Sequence, residues 1–419
     1  MRKSSPLRLA ALGGGNRSQV YFLHAAKFPS SYSLVAAADR HAARRARMRE
    51  ISGLPGFREF STAEELLAAP RLAEVLIVGT QDASHFAHAG AALRAGYDLL
   101  LEKPIATSPE DVLALRDLAG SLGRRVLVCH VLRYTSLFRR VHALLSDGAI
   151  GELVSLEATQ GLDPWHQAHS YVRGHWGVAE HSTPLTVANS CHDLDIISWL
   201  VDAPCSRVSS FGGLHFFNSR HSPPGAPRRC TDGCPAAETC PYDAHRYLSD
   251  KRNWLNAVFD RANSATNVEI IDWLRTSKWG RCVFQCDNTT VDHQTVALEF
   301  VNGVTSSFTV TAFSHGRDLA LFGTKGRLLA GARVRETAGC DILLETFGNR
   351  DRECIQVPAG PDMDETLMRE LADELARPDP ADMLSSLDRS VDSHLMGFAA
   401  ETSRRTGKTV RLTPVGISA

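Results

Sequence analysis

Two short segments of the chain carry residue types that could do cofactor chemistry. A glycine-rich turn at 13–18 directly follows an apolar run at 7–12, and Lys103 directly follows a second apolar run at 98–101. Glycines at the end of a strand let backbone N–H groups approach a pyrophosphate. A lysine at the end of a neighbouring strand can move a proton beside the cofactor. Together they predict a dinucleotide site with a proton-transfer group next to it.

The turn reads Gly-Gly-Gly-Asn-Arg-Ser from residue 13 to residue 18. Gly13 and Gly15 fill the first two positions of the dinucleotide fingerprint, and Ser18 stands at the third small position. A plain strand–helix turn is the alternative for this pattern taken alone. The residues of the turn that we predict to contact the cofactor are Gly13, Gly15, Asn16, Arg17 and Ser18.

Asp39 closes the next apolar run, at 33–38. An acid at this position binds both ribose hydroxyls of NAD and repels the 2′-phosphate of NADP. Its neighbour Arg40 could weaken the preference for NAD over NADP. We therefore expect NAD as the cofactor, with Asp39 and Arg40 at the adenosine ribose.

Four further cofactor contacts are expected where later strands end. Thr80 and His85 follow the apolar run 74–78, and Glu102 and Lys103 follow the run 98–101. A packing role for His85 is an equal alternative. An isolated Glu-Lys-Pro is mostly a solvated turn, but ligands of open α/β sheets bind at the carboxyl ends of the strands. Near a positively charged nicotinamide the pKa of Lys103 would fall, which suits proton transfer near neutral pH.

A second candidate half-site lies on a predicted helix at 190–200. His192, Asp195 and Trp199 are spaced to share one helix face, so an imidazole and a carboxylate meet above an apolar stripe. The alternative is a buried histidine satisfied by Asp195. We expect His192 to be catalytic and Asp195, together with Arg133, to bind substrate.

The segment 163–176 concentrates aromatic and polar side chains. Aromatic rings stack on sugar faces, polar tips fix hydroxyl groups, and an arginine can bind an anionic group through two hydrogen bonds. A structural loop under the site is the alternative. From this segment we expect Tyr171 to be catalytic and the following residues to bind substrate: Trp165, His166, His169 and Arg173.

A cysteine cluster occupies a Pro- and Gly-rich insertion at about 214–290. Cys230, Cys234 and Cys240 lie in tight turns, and Cys282 or Cys286 could supply a fourth thiolate. Such spacing predicts a structural zinc site, with Cys282 as the preferred fourth ligand. An iron–sulfur cluster and free thiols without metal are the alternatives.

The elements that must position these groups follow from the hydrophobic pattern. Apolar runs at 7–12, 33–38, 74–78, 98–101 and 125–129 alternate with helical stretches at 17–27, 40–52, 83–95 and 108–121. This alternation predicts a parallel, Rossmann-type sheet over residues 1–130. Strands at 153–159, 207–212, 295–301 and 306–312 predict a second domain, 131–419, with a large open, mainly antiparallel sheet. Helical patterns return at 363–376 and 383–404. The fold class is therefore α/β in both domains.

Composition narrows the class of protein. The 419 residues carry 46 basic and 47 acidic side chains, which gives no electrostatic case for nucleic acid. Forty-three per cent of residues are hydrophobic, yet no apolar run is long enough to cross a bilayer. Ten cysteines in so long a chain argue against a disulfide scaffold. We expect a cytoplasmic enzyme without a membrane or nucleic-acid partner.

The glycine turn, the Thr80–His85 segment and Glu102-Lys103-Pro104 together resemble the Gfo/Idh/MocA family, named for glucose–fructose oxidoreductase and inositol dehydrogenase. The resemblance covers most of the chain. It implies an N-terminal NAD-binding domain, a C-terminal α/β domain whose open sheet often forms an oligomer interface, and Lys103 as the active-site lysine. A homodimer or homotetramer is expected on this basis. In many relatives an aspartate lies four residues before the active-site histidine, and this chain has Ala188 there.

Two reactions follow from the resemblance. Some relatives remove a hydride from a sugar ring carbon, eliminate the aglycone, add water and return the hydride, which is redox-neutral glycoside hydrolysis. The segment 163–176 and the missing aspartate favour this reaction, with an anionic glycoside suited to Arg173. The alternative is a plain NAD-dependent sugar or polyol dehydrogenase. A non-enzymatic NAD sensor is a third class, and the presence of Lys103 and His192 argues against it.

Overall fold

The computed structural model describes residues 5–259, 261–262, 264–348, 351–413 and 416–418. Among these residues the first sheet has six parallel strands in the order β3-β2-β1-β4-β5-β6. They are β1 (Leu7–Leu12), β2 (Tyr32–Ala38), β3 (Arg58–Phe60), β4 (Val75–Val78), β5 (Asp98–Leu101) and β6 (Val126–Val128). This strand order puts the ends of β1, β4 and β5 side by side, so the glycine turn, Thr80 and Lys103 share one edge.

Helices cover both faces of this sheet, as the alternating pattern predicts. They are α1 (Asn16–Ala25), α2 (Ala42–Ser52), α3 (Ala63–Ala68), α4 (Asp82–Arg94) and α5 (Pro109–Leu122). Ser108 caps α5 by accepting a hydrogen bond from the N–H of Asp111, with Pro109 in the first turn. Helix α1 has Gly15 at its N-cap and no side-chain cap, so its first N–H groups are left for a ligand. The sequence did not reveal β3 and α3, which are short and only partly apolar.

The second sheet has ten strands within the described residues, in the order β14-β13-β12-β11-β7-β10-β9-β8-β15-β16. Pairing is antiparallel except between β7 and β10. The strands are β7 (Leu153–Leu162), β8 (Cys205–Gly213), β9 (His293–Phe300), β10 (Thr305–Thr311), β11 (His315–Gly323), β12 (Gly326–Gly331), β13 (Ile342–Thr346), β14 (Arg352–Ile355), β15 (Val410–Thr413) and β16 (Gly416–Ser418). The fold class predicted from the sequence is confirmed, although strands β11–β16 were not recognised individually.

The helices that follow residue 130 pack in three places: some against the second sheet, some against the first sheet, and Asn267–Thr276 within the insertion described below. They are α6 (Ser136–Ser146), α7 (Pro164–His166), α8 (Leu185–Ala188), α9 (Cys191–Val201), α10 (Asn267–Thr276), α11 (Ala332–Ala338), α12 (Met363–Leu375) and α13 (Leu387–Thr406). Leu367 and Leu371 of α12 and Leu395 of α13 belong to the hydrophobic cores beside the first sheet. The C-terminal helices therefore fasten the two halves together, and the boundary at residue 130 stays a prediction.

The insertion after β8 is built from short helical turns with a core of its own. Its 3-10 turns are Ser219–His221, Cys230–Asp232, Ala244–Leu248, Arg252–Ala257 and Lys278–Gly280. Trp165, Tyr247 and Trp279 form part of that core, which packs over the segment after β7. A π-helical turn, Gln167–Val172, follows α7 in that segment. No helix within the described part of the chain combines the length and apolar character needed to span a membrane.

Candidate active site

The glycine turn after β1 has a shape that larger residues cannot adopt. Gly13 has a φ of +87°, and a Cβ placed on it would lie 2.6 Å from the carbonyl oxygen of Gly79. A side chain there would collide with the main chain after β4, so only glycine permits the approach. Gly15 is the N-cap residue of α1, and no side chain caps the N-terminus of this helix beside the turn. This cradle fits a dinucleotide pyrophosphate.

Ser18 lies at the third small position of the fingerprint. It is fully buried, and a Cβ on Gly79 would come 2.3 Å from its Oγ. A larger residue at 18 would push α1 away from β4. Ser18 therefore does what the third glycine of the fingerprint does, which is to allow close helix–strand packing.

The Asp39 carboxylate sits beside this turn at the end of β2. Its Oδ2 accepts a hydrogen bond from the N–H of Gly14 and its Oδ1 accepts one from the N–H of His41, both at 2.8 Å. These bonds fix the carboxylate in one orientation, as recognition of two ribose hydroxyls requires. Arg40 is exposed.

Arg17 and Glu102, two expected cofactor contacts, are engaged with other protein groups. Arg17 Nε donates to Glu102 Oε1 at 2.7 Å, and its Nη1 donates to Asp364 Oδ2 of α12 at 3.0 Å. Tyr21 donates its hydroxyl to the same Glu102 oxygen at 2.6 Å. This network ties α1, the end of β5 and α12 together. Asn16 is exposed at the start of α1.

Thr80 and His85 meet in the turn after β4. The ring nitrogens of His85 lie 2.6 Å from the carbonyl oxygen of Pro104 and 3.1 Å from that of Thr80. His85 is 1% exposed, so it braces the loops after β4 and β5 rather than presenting a free ring. This contact matches the packing alternative for His85.

Lys103 reaches across from the first domain to the second. Its Nζ donates a hydrogen bond to the main-chain carbonyl oxygen of Ala188 at 2.9 Å. Ala188 ends α8 directly before the histidine helix. The lysine is thus hydrogen-bonded to a main-chain oxygen at position 188, where the family resemblance led us to look for an aspartate.

His192 lies beside this lysine at the start of α9. Burial and the charge of Lys103 hold the pKa of His192 well below its usual range. Its buried Nδ1 has no hydrogen-bond partner among the described residues. The imidazole is therefore held neutral beside the lysine, where its ring nitrogens can hydrogen-bond a ligand.

His166 and Tyr171 form a second pair of ionisable side chains near the same place. Their ring centres are 5.7 Å apart. Burial and Lys103 lower the pKa of His166 to about 4, whereas burial raises the pKa of Tyr171 well above its usual value. The Asn189 side chain lies close enough to the Tyr171 hydroxyl to act on it. Both side chains are thus held in their neutral forms near Lys103 and His192.

Arg133 and Asp195, both expected at the substrate, pair with each other instead. Arg133 Nε and Nη2 donate to the two carboxylate oxygens of Asp195 at 2.7 and 2.8 Å. The two residues are 1% and 0% exposed, so neither offers an atom to a ligand. A buried charge needs its partner, and this pair fixes α9 against the 3-10 turn Val131–Tyr134.

Three residues of the segment 163–176 also turn away from solvent. Trp165 is 3% exposed within the core of the insertion, and His169 Nδ1 lies 2.5 Å from the hydroxyl of Tyr247. Arg173 is fully buried, with Nε donating to the carbonyl oxygen of Arg281 at 2.7 Å. The substrate contacts expected of these three residues do not fit this placement. The apolar insertion that covers the segment is the physical reason.

Sequence reasoning missed several residues that shape the site. Trp254 of the insertion lies 5.0 Å from His166 between ring centres. Gln160 donates to Asn189 Oδ1 at 2.6 Å, and Arg317 of β11 donates to Asp193 at 2.6 Å. These contacts join segments far apart in the chain. Only the inward alternation along β7, which places Gln160 among apolar residues, carried a local signal.

The insertion's cysteines are free thiols in the structure. No group of three or more His, Cys, Asp or Glu side chains among the described residues is arranged to hold a metal ion. A disulfide joins Cys340 and Cys354, which belong to neither predicted site.

Comparison with known proteins agrees with this site. A family model described as "Oxidoreductase family, NAD-binding Rossmann fold" matches residues 7–130, and its "C-terminal alpha/beta domain" matches residues 142–342. The chain belongs to the Gfo/Idh/MocA family. It is therefore an oxidoreductase with an NAD-binding domain, as the glycine turn and Lys103 indicated.

Individual members of the Gfo/Idh/MocA family are distant relatives. The putative oxidoreductase YteT of Bacillus subtilis (strain 168) is 23% identical over 312 residues, which span 72% of this chain and 71% of that protein. Inositol 2-dehydrogenase 3 of Saccharopolyspora erythraea is 24% identical over 47% of this chain and 54% of that protein. The WlbA dehydrogenase of Bordetella pertussis, solved with NADH and UDP-GlcNAcA, is 18% identical with a TM-score of 0.66 over 97% of this chain and 99% of that one. The last likeness shows the fold alone.

Proposed function

We propose that this oxidoreductase removes a hydride from a hydroxyl-bearing ring carbon of a pyranoside, with the side chain of Lys103, in its amine form, accepting the hydroxyl proton. The placement of Lys103 carries the proposal. Its Nζ is held 2.9 Å from the carbonyl oxygen of Ala188, and it lies close enough to His192 and His166 to act on both rings. One lysine thus lies beside two neutral imidazoles that can hydrogen-bond the hydroxyl groups of a sugar.

The residues present fit NAD. The turn at Gly13 and Gly15 leaves room for a pyrophosphate, and the oriented Asp39 carboxylate can accept hydrogen bonds from the ribose hydroxyls. Bound NAD would supply a reversible two-electron oxidation of a CH–OH group to a ketone. All proton movements then fall to side chains of the protein.

We extend the proposal to redox-neutral glycoside hydrolysis. Oxidation at ring carbon 3 acidifies the C–H bond at ring carbon 2. A base removes that proton, the C1–O bond breaks, and an acid protonates the departing aglycone. Water then adds to C1 and a proton to C2, after which the hydride returns to the ketone and the net reaction is hydrolysis. The pair formed by His166 and Tyr171 supports this extension, because elimination needs further groups besides Lys103 that can hydrogen-bond the reacting sugar.

The alternative is a plain NAD-dependent sugar or polyol dehydrogenase. It needs only Lys103 and His192, and the name of the inositol dehydrogenase relative favours it. Arg173 was the residue expected to bind an anionic group on the sugar. It is enclosed in the insertion and does not reach such a group. A neutral glycoside is therefore the simpler substrate.

The deciding experiment follows NADH absorbance and aglycone release together. Purified enzyme with NAD is given chromogenic pyranosides, both neutral and anionic, and the corresponding free sugars. Aglycone release without net NADH, lost when NAD is stripped and restored when NAD is added, supports redox-neutral hydrolysis. NADH formed in proportion to free sugar, with no aglycone release, supports the dehydrogenase. If neither reaction occurs with any of the sugars, the NAD sensor is favoured.

The location and assembly are part of this proposal. We place the enzyme in the cytoplasm, where NAD is available, and propose a homodimer or homotetramer joined through the open sheet. Phe211 on β8 is 75% exposed and Val301 after β9 is 65% exposed, which leaves apolar groups on that side of the sheet. Light scattering of the purified protein measures the mass directly, and a monomer would contradict the assembly.

A further inference from the structure

The short segment after Lys103 is held by two histidines from different helices. The N–H of Ile105 donates to Nε2 of His394, in α13, at 3.0 Å. The carbonyl oxygen of Pro104 lies 2.6 Å from Nδ1 of His85, in α4. Ile105, His394 and His85 are each at most 1% exposed, so water does not compete for these contacts. The main chain beside the lysine is therefore fixed by side chains that lie far away in the sequence.

The two backbone groups that His394 contacts determine which of its ring nitrogens carries the proton. An amide N–H can only donate, so Nε2, which receives the N–H of Ile105, must present its lone pair. Nδ1 lies 3.0 Å from the carbonyl oxygen of Ser390, which can only accept. Nδ1 therefore carries the proton of a neutral ring. Burial and the neighbouring His130 lower the pKa of His394 to about 3, which keeps this ring neutral near pH 7.

Helix α13 also holds the segment that receives the other end of the lysine. One turn after His394, Gly397 packs against α8, and a Cβ placed on it would lie 2.9 Å from the carbonyl oxygen of Thr186. The carbonyl oxygen of Gly397 accepts a hydrogen bond from Oγ1 of Thr186 at 2.8 Å. Ala188, the last residue of α8, carries the carbonyl oxygen that binds Nζ of Lys103. One helix thus fixes both α8 and the segment after Lys103.

We propose that α13 positions Lys103 for proton transfer, with His394 as a positioning residue that acts through the main chain of Ile105. The inference rests on the proposed function, because it takes the amine of Lys103 as the group that accepts the hydroxyl proton. A lysine side chain is flexible, so a fixed Nζ requires that both its main chain and its acceptor are held. A shift of about 1 Å at a reacting group can lower a rate about 100-fold.

NMR of the full-length wild type with labelled histidine nitrogens tests the hydrogen bonds without an activity assay. We expect His394 as the neutral Nδ1–H tautomer at pH 7, with its signals assigned by their loss in His394→Gln. Amide hydrogen exchange at Ile105 should be about tenfold faster or more in His394→Phe, whose ring has a similar size but no acceptor. An Nε2–H tautomer, or exchange at the wild-type rate, overturns the inference whatever the substrate proves to be.

Turnover of three variants tests whether these bonds position the lysine. His394→Phe should lower kcat by about tenfold or more, with the Kd of NADH unchanged. His394→Gln should stay within about threefold of the wild type, because its amide oxygen can still accept from Ile105. Ser403→Ala is the matched control and should keep kcat. It removes another buried side-chain acceptor of α13, which binds the N–H of Ser210 at 2.9 Å.

The outcomes separate this inference from the proposed function. A His394→Phe enzyme with wild-type kcat overturns the inference, and so does an equal loss of kcat in Ser403→Ala. Full turnover in Lys103→Met overturns the proposed function instead. If His394→Phe does not fold, Thr186→Val takes its place, since it removes the hydrogen bond to Gly397 with little change of shape. Its kcat should fall in the same way, and an unchanged kcat there overturns the inference.

Discussion

The Nζ of Lys103 donates a hydrogen bond to the main-chain oxygen of Ala188 across 2.9 Å, which joins the end of β5 to the last residue of α8. This bond places the lysine from one half of the chain against catalytic candidates of the other. Because a carbonyl oxygen holds the lysine, no carboxylate is needed at position 188 to fix where the lysine lies.

Replacing Lys103 with Met should lower kcat by about 10²- to 10⁴-fold, since a proton-transfer group is removed. Binding of NADH, followed by its fluorescence, should stay close to that of the wild type. Lys408→Met, at an exposed position, is the matched control. A Lys103→Met enzyme with full turnover would remove the basis of the proposed mechanism.

Replacing Asp39 with Asn should weaken discrimination against NADP. The amide keeps one acceptor for the backbone N–H groups of Gly14 and His41 but loses the charge that repels a 2′-phosphate. We expect the ratio of kcat/KM for NAD to that for NADP to fall by about tenfold or more, equivalent to about 1.4 kcal/mol. An unchanged ratio would show that Asp39 does not face the ribose.

Replacing Glu102 with Gln should destabilise the fold. Burial tends to raise the pKa of Glu102, but Arg17 and Lys103 outweigh it and the pKa is lowered. Because the folded pKa lies below the unfolded value, this stabilisation is present above the unfolded pKa and is lost as pH falls through the folded one. Loss of the partner of a mostly buried ion pair costs about 3 kcal/mol in the free energy of unfolding.

Denaturant unfolding at neutral pH measures the loss in Glu102→Gln. Lys27→Gln, which breaks an ion pair of a half-exposed lysine with Glu365, is the control and should cost about 1 kcal/mol or less. An equal loss of unfolding free energy in the two variants would mean that the Arg17–Glu102–Asp364 network stabilises the fold no more than an exposed ion pair does.

Buried neutral histidines predict acid sensitivity. Burial lowers the pKa of His394 to about 3 and that of His166 to about 4. For a base with a lowered pKa the unfolded state binds more protons, so stability is full above the unfolded pKa and falls as pH drops toward the folded value. At pH 5 each such group costs about 2 kcal/mol relative to neutral pH.

Chemical unfolding at pH 7 and pH 5 checks this sign. The wild type should lose stability between the two values, and His394→Gln should lose less over the same interval than the wild type does. Stability that is equal or higher at pH 5 would contradict neutral buried imidazoles.

The sequence predicted the parts of the site that follow from local pattern. Gly13 needs a positive φ, Lys103 ends an apolar run, and the spacing of His192 marks a helix, so each could be placed without the structure. The roles of charged groups in the core were harder to predict from the sequence. Whether Arg133 and Arg173 face a ligand or lie enclosed depends on which distant segments pack over them, and no short pattern records that.

We expect Trp254 to bring the insertion into contact with the sugar. Its half-buried ring lies 5.0 Å from the His166 ring, one of the candidate site residues. Replacing Trp254 with Ala should raise KM for the sugar by about tenfold, since stacking of an aromatic ring contributes about 0.5–1.5 kcal/mol beyond the area it buries. Binding of NADH should not change. Trp273→Phe, which alters a stacked ring elsewhere in the insertion, is the control and should keep KM. A Trp254→Ala enzyme whose KM equals that of the wild type would place the sugar away from the insertion.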